Sequence, residues 1–313
     1  MLRSPRSITR VASIGGGPIG AGWAAHFLAR GYDVNAYIHD ASERAAFYAI
    51  LQTGWKSLTD LGLYPKASLD RLSLTTDLEK AVQGVGFIQE SAPERIEVKQ
   101  DLYAKLGIIV PADVIIGSST SGLTMTDIQR NCVNPERCVI GHPFNPPYLL
   151  PLVEVVGGDH TAPEVVEWAG EFYKVAGKSP LIMKKEIPGF VATRLQEALW
   201  REALHMVANG EATPADIDNA LMNGPAPRMA VQGQCMAFHV ACGEGGMATN
   251  LDQFGPTLKL PWTRLDAPEL TQELRNRMVD GCNEIAADQK FEDMATKRDA
   301  QIVAVLRAIR DTA

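Results

Sequence analysis

Gly15, Gly17 and Gly20 form G-x-G-x-x-G between a short β-branched run and an Ala-rich helical stretch. Each glycine has a physical purpose at that spacing: the first permits a tight turn, the second lets backbone approach a pyrophosphate, and the third lets helix pack on strand. Pro18 and Ile19 open the helix, whose first amides and dipole then face the phosphates. A plain glycine-rich turn is the alternative, and the strand-then-helix setting favours a dinucleotide site. An acidic residue for the adenosine ribose is expected about twenty residues on, at the end of the second strand. That strand reads V-N-A-Y-I-H-D, so Ile38 holds the position and Asp40 comes two residues late. Asp40 is left with two readings, a ribose contact or a cap for the helix that begins at Ser42. His39 and Arg44 could instead meet a 2′-phosphate, so the choice between NAD and NADP stays open.

A site of this kind needs a parallel sheet to hold it. Short β-branched runs alternate with helical stretches through the first half of the chain, which predicts an α/β fold: a Rossmann-type doubly wound parallel sheet covered on both faces. Strands are expected at 11–14, 34–38, 86–90, 114–117, 138–141, 152–156 and 179–183, with helices at 19–30 and 163–176. Gly31 closes the first helix. The amphipathic stretches 42–61 and 67–72 read as a helical excursion before the third of these strands. From Pro188 onward the apolar residues Phe190, Leu195, Ala198, Leu199 and Leu204 recur at helical spacing, and no convincing strand follows. Residues 223–227, N-G-P-A-P, must be a loop. The expected division is therefore a dinucleotide-binding domain over 1–185 and a smaller all-α domain over 186–313.

Composition narrows the partners. The 313 residues carry 30 Lys and Arg against 37 Asp and Glu, a net charge of −7 with no basic block, which argues against a nucleic-acid partner. Charged residues interrupt every long apolar run, and the run after Arg10 breaks at once into three glycines. Neither a membrane span nor a signal peptide is expected. The five cysteines, Cys132, Cys138, Cys235, Cys242 and Cys282, contain no C-x-x-C pair. They suit reduced thiols in a cytoplasm and argue against a metal site or a disulfide framework.

Four further segments stand in order along the chain: F-I-Q-E-S-A-P-E-R (87–95), G-S-S-T-S-G-L (117–123), G-H-P-F-N-P-P (141–147) and L-V-E-V-V (152–156). With the glycine fingerprint and I-P-G-F-V-A-T-R-L (187–195), this series resembles the 3-hydroxyacyl-CoA dehydrogenase family over essentially the whole chain. The resemblance implies an NAD-dependent oxidation of a secondary alcohol by a homodimer. It implies that His142 takes the hydroxyl proton and that Glu154 holds the imidazole in one tautomer and stabilises its charged form. Ser121 and Asn145 correspond to groups that hydrogen-bond the reacting oxygen, although both also suit local turns. Glu94, Lys99 and Ser119 fall at cofactor-contact positions, with a surface ion pair the rival for the first two.

Thr193 stands where acyl-CoA members carry an Asn, which makes a CoA thioester a less comfortable substrate. Such a substrate would also call for a basic patch, for which Lys56 and Lys66 are the candidates. E-A-L-W-R-E-A-L (197–204) and Q-F-G-P-T-L-K-L-P-W-T (253–263) instead resemble members that act on a small free hydroxy acid. For a cationic substrate the candidate π-faces are Phe144, Tyr148, Trp200, Phe238 and Trp262, with Glu197 and Glu202 as counter-charges. Most such aromatics belong to cores. A nucleotide-binding protein without turnover is the rival of a different class.

Overall fold

A computed structural model describes residues 2–242, 244, 246–261, 263–264, 269, 271–274, 276–277, 279–280 and 290–312. Trp262 and Cys282 lie outside the described residues. Alternation of β1 (Arg10–Ile14), α1 (Pro18–Ala29), β2 (Asp33–Tyr37), α2 (Arg44–Leu61) and β3 (Leu72–Thr75) builds one half of the sheet. The other half comes from α3 (Leu78–Val82), β4 (Phe87–Glu90), α4 (Ile96–Ile109), β5 (Ile115–Ser118), α5 (Met125–Ile128) and β6 (Cys138–Pro143). β7 (Leu152–Gly157), α6 (Pro163–Val175) and β8 (Ser179–Ile182) complete it. The strand order is β3-β2-β1-β4-β5-β6-β7-β8.

Side chains alternate between two cores along each strand, as a doubly covered sheet requires. Val11, Phe87, Ile115 and Val139 enter one core with Trp23 and Phe27 of α1 and Phe172 of α6. Ala12, Ile88, Ile116 and Ile140 enter the other with Tyr103 and Leu106 of α4.

Three expectations are corrected. Of the loop expected over 223–227, only the turn at Gly224 and Pro225 separates two helices. The stretch 67–72 is not a helix: a single 3-10 turn, Leu69–Arg71, leads into β3, a strand outside those expected. The sheet is also not wholly parallel. β6 and β7 run antiparallel because the chain reverses within the short loop 144–151 without a crossover helix, and His142 is thereby paired directly with Glu154.

Contacts divide the chain into two compact units, Met1–Thr193 with Thr296–Ala308, and Arg194–Ala295 with Ile309–Ala313. The second is helical among its described residues: most of α7 (Ala192–Ala208), then α8 (Pro214–Asn223), α9 (Ala226–Ala241) and α10 (Gly246–Phe254). Ala203, Val207, Ile217 and Leu274 form its small core. A last helix, α11 (Phe291–Thr312), returns to the first unit, where Asp299 accepts the Tyr148 hydroxyl at 2.6 Å and the Ser57 hydroxyl at 3.3 Å.

The loop after β6 is held from beneath by Lys178. Its buried Nζ donates to the carbonyls of Pro147 and Leu150 and lies 5.0 Å from the Trp23 ring. Burial pushes this ammonium down to about 7, with the charge of Arg30 adding to the effect. A neutral amine still carries two N–H groups, enough for both carbonyls. Because the folded value lies below the unfolded one, near 10.4, the unfolded chain holds the extra proton between the two, and stability rises with pH through that window. Lys178→Met should therefore destabilise the protein by about 1–3 kcal/mol at alkaline pH, where two carbonyls lose their donor. The wild-type advantage should shrink as pH falls toward 6. Thermal melts of both proteins across pH check this, and a constant difference would contradict it.

Candidate active site

The carboxyl ends of the parallel strands lie along one edge of the sheet, and the chain leaves β1 and β4 in opposite lateral directions there, the topological switch point at which α/β sheets open a crevice. On the β1 side the glycines fit a dinucleotide. Gly15 has φ +127°, and a Cβ there would lie 2.3 Å from the Ser91 carbonyl oxygen. A Cβ on Gly20 would lie 2.1 Å from the Gly15 carbonyl oxygen, whereas one on Gly17 would meet nothing within 4 Å. The turn thus closes tightly on itself at its two ends and leaves open space above Gly17, which caps α1 ahead of Pro18 and Ile19. A cavity of about 750 Å³ continues from these glycines past Tyr37, His39 and Glu43 to Leu78, Val98, Leu102 and Lys105.

Asp40 takes the cap. Its Oδ1 accepts the Ser42 N–H at 2.8 Å, and the Ser42 bonds hold the carboxyl below its ordinary range. Ile38 is fully buried.

Three strands further along lies the pair. His142 Nδ1 stands 2.8 Å from Glu154 Oε2, both side chains buried. The other carboxylate oxygen, Oε1, accepts the N–H groups of Val191 and Ala192, each at 2.8 Å. Those amides are aimed by two successive left-handed residues, Gly189 at φ +73° and Phe190 at φ +50°. Phenylalanine rarely adopts that conformation, and here its fully buried ring lies 5.5 Å from the His142 ring. Burial alone would raise the Glu154 carboxyl; the bonds from His142, Ala192 and Val191 outweigh it and hold the group below the ordinary range. A carboxylate that accepts only, facing Nδ1, leaves Nε2 of a neutral imidazole as the free base. Phe144 packs beside it, ring centroids 5.0 Å apart, and Asn145 is exposed on the following loop.

Between crevice and pair runs a polar chain. Glu94 Oε1 accepts from Thr120 Oγ1 at 2.5 Å, from Ser121 N at 2.8 Å and from Ser121 Oγ at 3.3 Å. Burial would raise the Glu94 carboxyl, but the Thr120 bond, the Lys99 charge and Ser121 prevail and lower it. Lys99 is not part of a surface ion pair. It is 1% exposed, its Nζ 2.7 Å from Glu90 Oε1, 3.2 Å from the Ala92 carbonyl and 3.6 Å from Glu94. Glu90, expected only as a strand residue, also accepts a hydrogen bond from Ser118 Oγ at 2.6 Å. Ser119 Oγ accepts from Gln89 at 2.8 Å and shares a 2.9 Å bond with Ser91 Oγ. Gln89 is in turn fixed by the Tyr173 hydroxyl at 2.6 Å, which occupies space that only glycine leaves at Gly141.

The remaining candidates scatter. Tyr148 is a core residue, Thr193 is half-buried on the first turn of α7, and Trp200 and Phe238 are exposed on helices of the second unit. Glu202 is engaged by Arg264, whose N–H lies 2.5 Å from it, so its charge is already countered. Glu197 stands 4.0 Å from Arg201. Lys56 is exposed on α2, and Lys66 on the loop before β3.

A glycine-lined crevice and a carboxylate-steadied imidazole on one sheet edge define a dinucleotide-dependent dehydrogenase. The chain belongs to the 3-hydroxyacyl-CoA dehydrogenase family: residues 10–187 match its NAD binding domain and residues 189–280 its C-terminal domain. It is 54% identical over 307 residues to an L-carnitine dehydrogenase of Streptomyces coelicolor, covering 98% of this chain and 96% of that one. It is 46% identical to an L-carnitine dehydrogenase of Pseudomonas putida, covering 97% and 95%. Among solved structures, the NAD+-dependent dismutase 5-formyl-3-hydroxy-2-methylpyridine 4-carboxylic acid 5-dehydrogenase superposes with TM-score 0.84 at 28% identity, over 97% of this chain and 99% of that one. The 3-hydroxybutyryl-CoA dehydrogenase of Escherichia coli K12 gives 0.65 at 27% identity, over 88% and 57%. Among the described residues no helix is long and apolar enough to cross a membrane.

Proposed function

We propose that this protein oxidises L-carnitine at C3 to 3-dehydrocarnitine, with NAD as the acceptor. The observation that carries the reading is the His142–Glu154 pair at 2.8 Å, set on the same sheet edge as the glycine turn. Near-full-length likeness to L-carnitine dehydrogenases supports the substrate. When bound, NAD accepts the hydride that leaves C3.

The protein's own groups do the rest. His142 Nε2 accepts the C3 hydroxyl proton as the carbonyl forms, and Glu154 stabilises the resulting imidazolium. Ser121 and Asn145 meet the C3 oxygen; the 3.3 Å bond from Ser121 to Glu94 is long enough to be exchanged for one to substrate. Glu94 and Ser119 face the cofactor, with Lys99 fixing Glu94 from behind, and Gly15, Gly17, Pro18, Ile19 and Gly20 hold the pyrophosphate. Phe144 and Thr193 line the substrate, whose trimethylammonium calls for an aromatic face. A pure nucleotide binder has no use for the acid–base pair.

We assign 1–185 as the dinucleotide-binding domain and 186–313 as the substrate and dimerisation domain. Leu195, Leu199 and Trp200 present an exposed apolar face on α7 that suits a homodimer, and the reduced cysteines suit a cytoplasmic enzyme.

Oxidation releases a proton, so its equilibrium constant rises tenfold per pH unit, equivalent to about 1.4 kcal/mol, and the reaction should be assayed at alkaline pH. With NAD and a panel of L-carnitine, L-gulonate and 3-hydroxybutyryl-CoA, L-carnitine should give the highest kcat/KM, and the same preparation should sediment as a dimer. NAD reduction with either of the other two, but not with L-carnitine, would overturn the substrate.

A further inference from the structure

We infer that Glu43, rather than Asp40, is the acidic residue that recognises the adenosine ribose and makes the enzyme select NAD over NADP. The inference rests on the NAD reading of the crevice. The position at the end of β2 where a ribose-binding acid is expected holds Ile38, which is fully buried and offers no acceptor. Asp40 is committed to the Ser42 N–H at 2.8 Å as the cap of a 3-10 turn. That turn, Ala41–Glu43, delivers the next carboxylate back over the glycines: a Cβ built on Gly16 would lie 2.0 Å from Glu43 Oε2 and 3.1 Å from its Cδ. Glu43 therefore rests against the middle residue of the tight turn and lines the 750 Å³ cavity that runs on to Leu78, Val98 and Leu102. The Tyr37 phenol lines the same wall and is raised by burial and then by the Glu43 charge.

A carboxylate here has two consequences. Its two oxygens can accept both hydroxyls of a ribose diol. A 2′-phosphate would bring about two negative charges to the same place and be repelled. His39 and Arg44, the groups that could have received such a phosphate, flank the acid and do not replace it. The sugar-recognising group has thus moved from the strand end to the turn that follows it.

The test is binding, read by quenching of protein fluorescence and by calorimetry with NADH and NADPH, without turnover. Wild type should bind NADH tightly and NADPH poorly. Glu43→Gln, nearly isosteric, should weaken NADH by roughly tenfold or more, the worth of a charge-assisted hydrogen bond, and narrow the preference against NADPH. Glu43→Ala should do the same, and circular dichroism of both checks the fold. Unchanged NADH affinity and preference in both variants would overturn the inference, as would a loss of discrimination in Asp40→Asn instead. A wild type that binds neither dinucleotide would overturn the NAD reading along with it.

Discussion

Replacing His142 by Ala is expected to lower kcat by about 10²–10⁴-fold, the usual contribution of a positioned general base. The imidazole lies three strands from β1, roughly 14 Å at ordinary strand spacing, so the glycine turn and its cavity should be untouched. NADH affinity should stay within about twofold, since no phosphate or ribose contact is removed. The change also leaves Glu154 buried with one partner fewer, but Val191 and Ala192 still donate to it, so the fold should hold. Steady-state kinetics and NADH titration on one preparation separate these effects. Turnover that survives the substitution would refute the assignment of His142, and loss of NADH binding would mean that the variant had damaged more than the base.

Glu154→Gln should be nearly as severe, for a reason that lies in hydrogen-bond polarity. The carboxylate oxygen Oε1 already accepts two backbone N–H groups, from Val191 and Ala192. A glutamine has a single acceptor oxygen, which those amides claim, so its NH2 must face His142 Nδ1. Nδ1 then has to accept, the ring proton moves to Nε2, and the atom that should take the substrate proton is blocked. A loss of about 10³-fold in kcat/KM is expected from the wrong tautomer together with the lost stabilisation of the imidazolium. Nitrogen-15 spectra of the imidazole should show Nδ1–H in the wild type and Nε2–H in the variant; an unchanged tautomer with unchanged rate would contradict the mechanism. Glu154 also has a signature in stability. Its folded carboxyl is held low, so its contribution is present above the ordinary carboxylate range and is lost as the pH falls through the lowered value. The variant should lack that part of the acid limb.

Much of this site was legible because its information is carried by side-chain type and spacing. The glycine turn, the histidine and the second-strand irregularity at Ile38 can all be read from letters in order. What escaped belongs to backbone and to burial. The amides of Val191 and Ala192 have no letter of their own, and only the left-handed Gly189–Phe190 step aims them. β3 is four residues at a sheet edge with a mixed burial pattern, too short to show a period. The antiparallel turn into β7 depends on how the loop 144–151 reverses, and it alone puts His142 opposite Glu154. For Lys99 and Glu94 a surface ion pair rivalled the cofactor contact because a sequence does not show that the Lys99 stem is swallowed by the fold, where Glu90 compensates its charge. Glu43 carries no motif of its own, and its approach to Gly16 is a matter of where the 3-10 turn points.

The central claim, an imidazole base poised over the reacting carbon, is tested most directly by a crystal structure of the enzyme with NADH and L-carnitine, a combination that cannot react forward. Expected is the C3 hydroxyl within hydrogen-bond reach of His142 Nε2, with C3 facing C4 of the nicotinamide and Glu154 still on Nδ1. A hydroxyl bound away from His142, or a nicotinamide placed elsewhere than beside it, would contradict the claim.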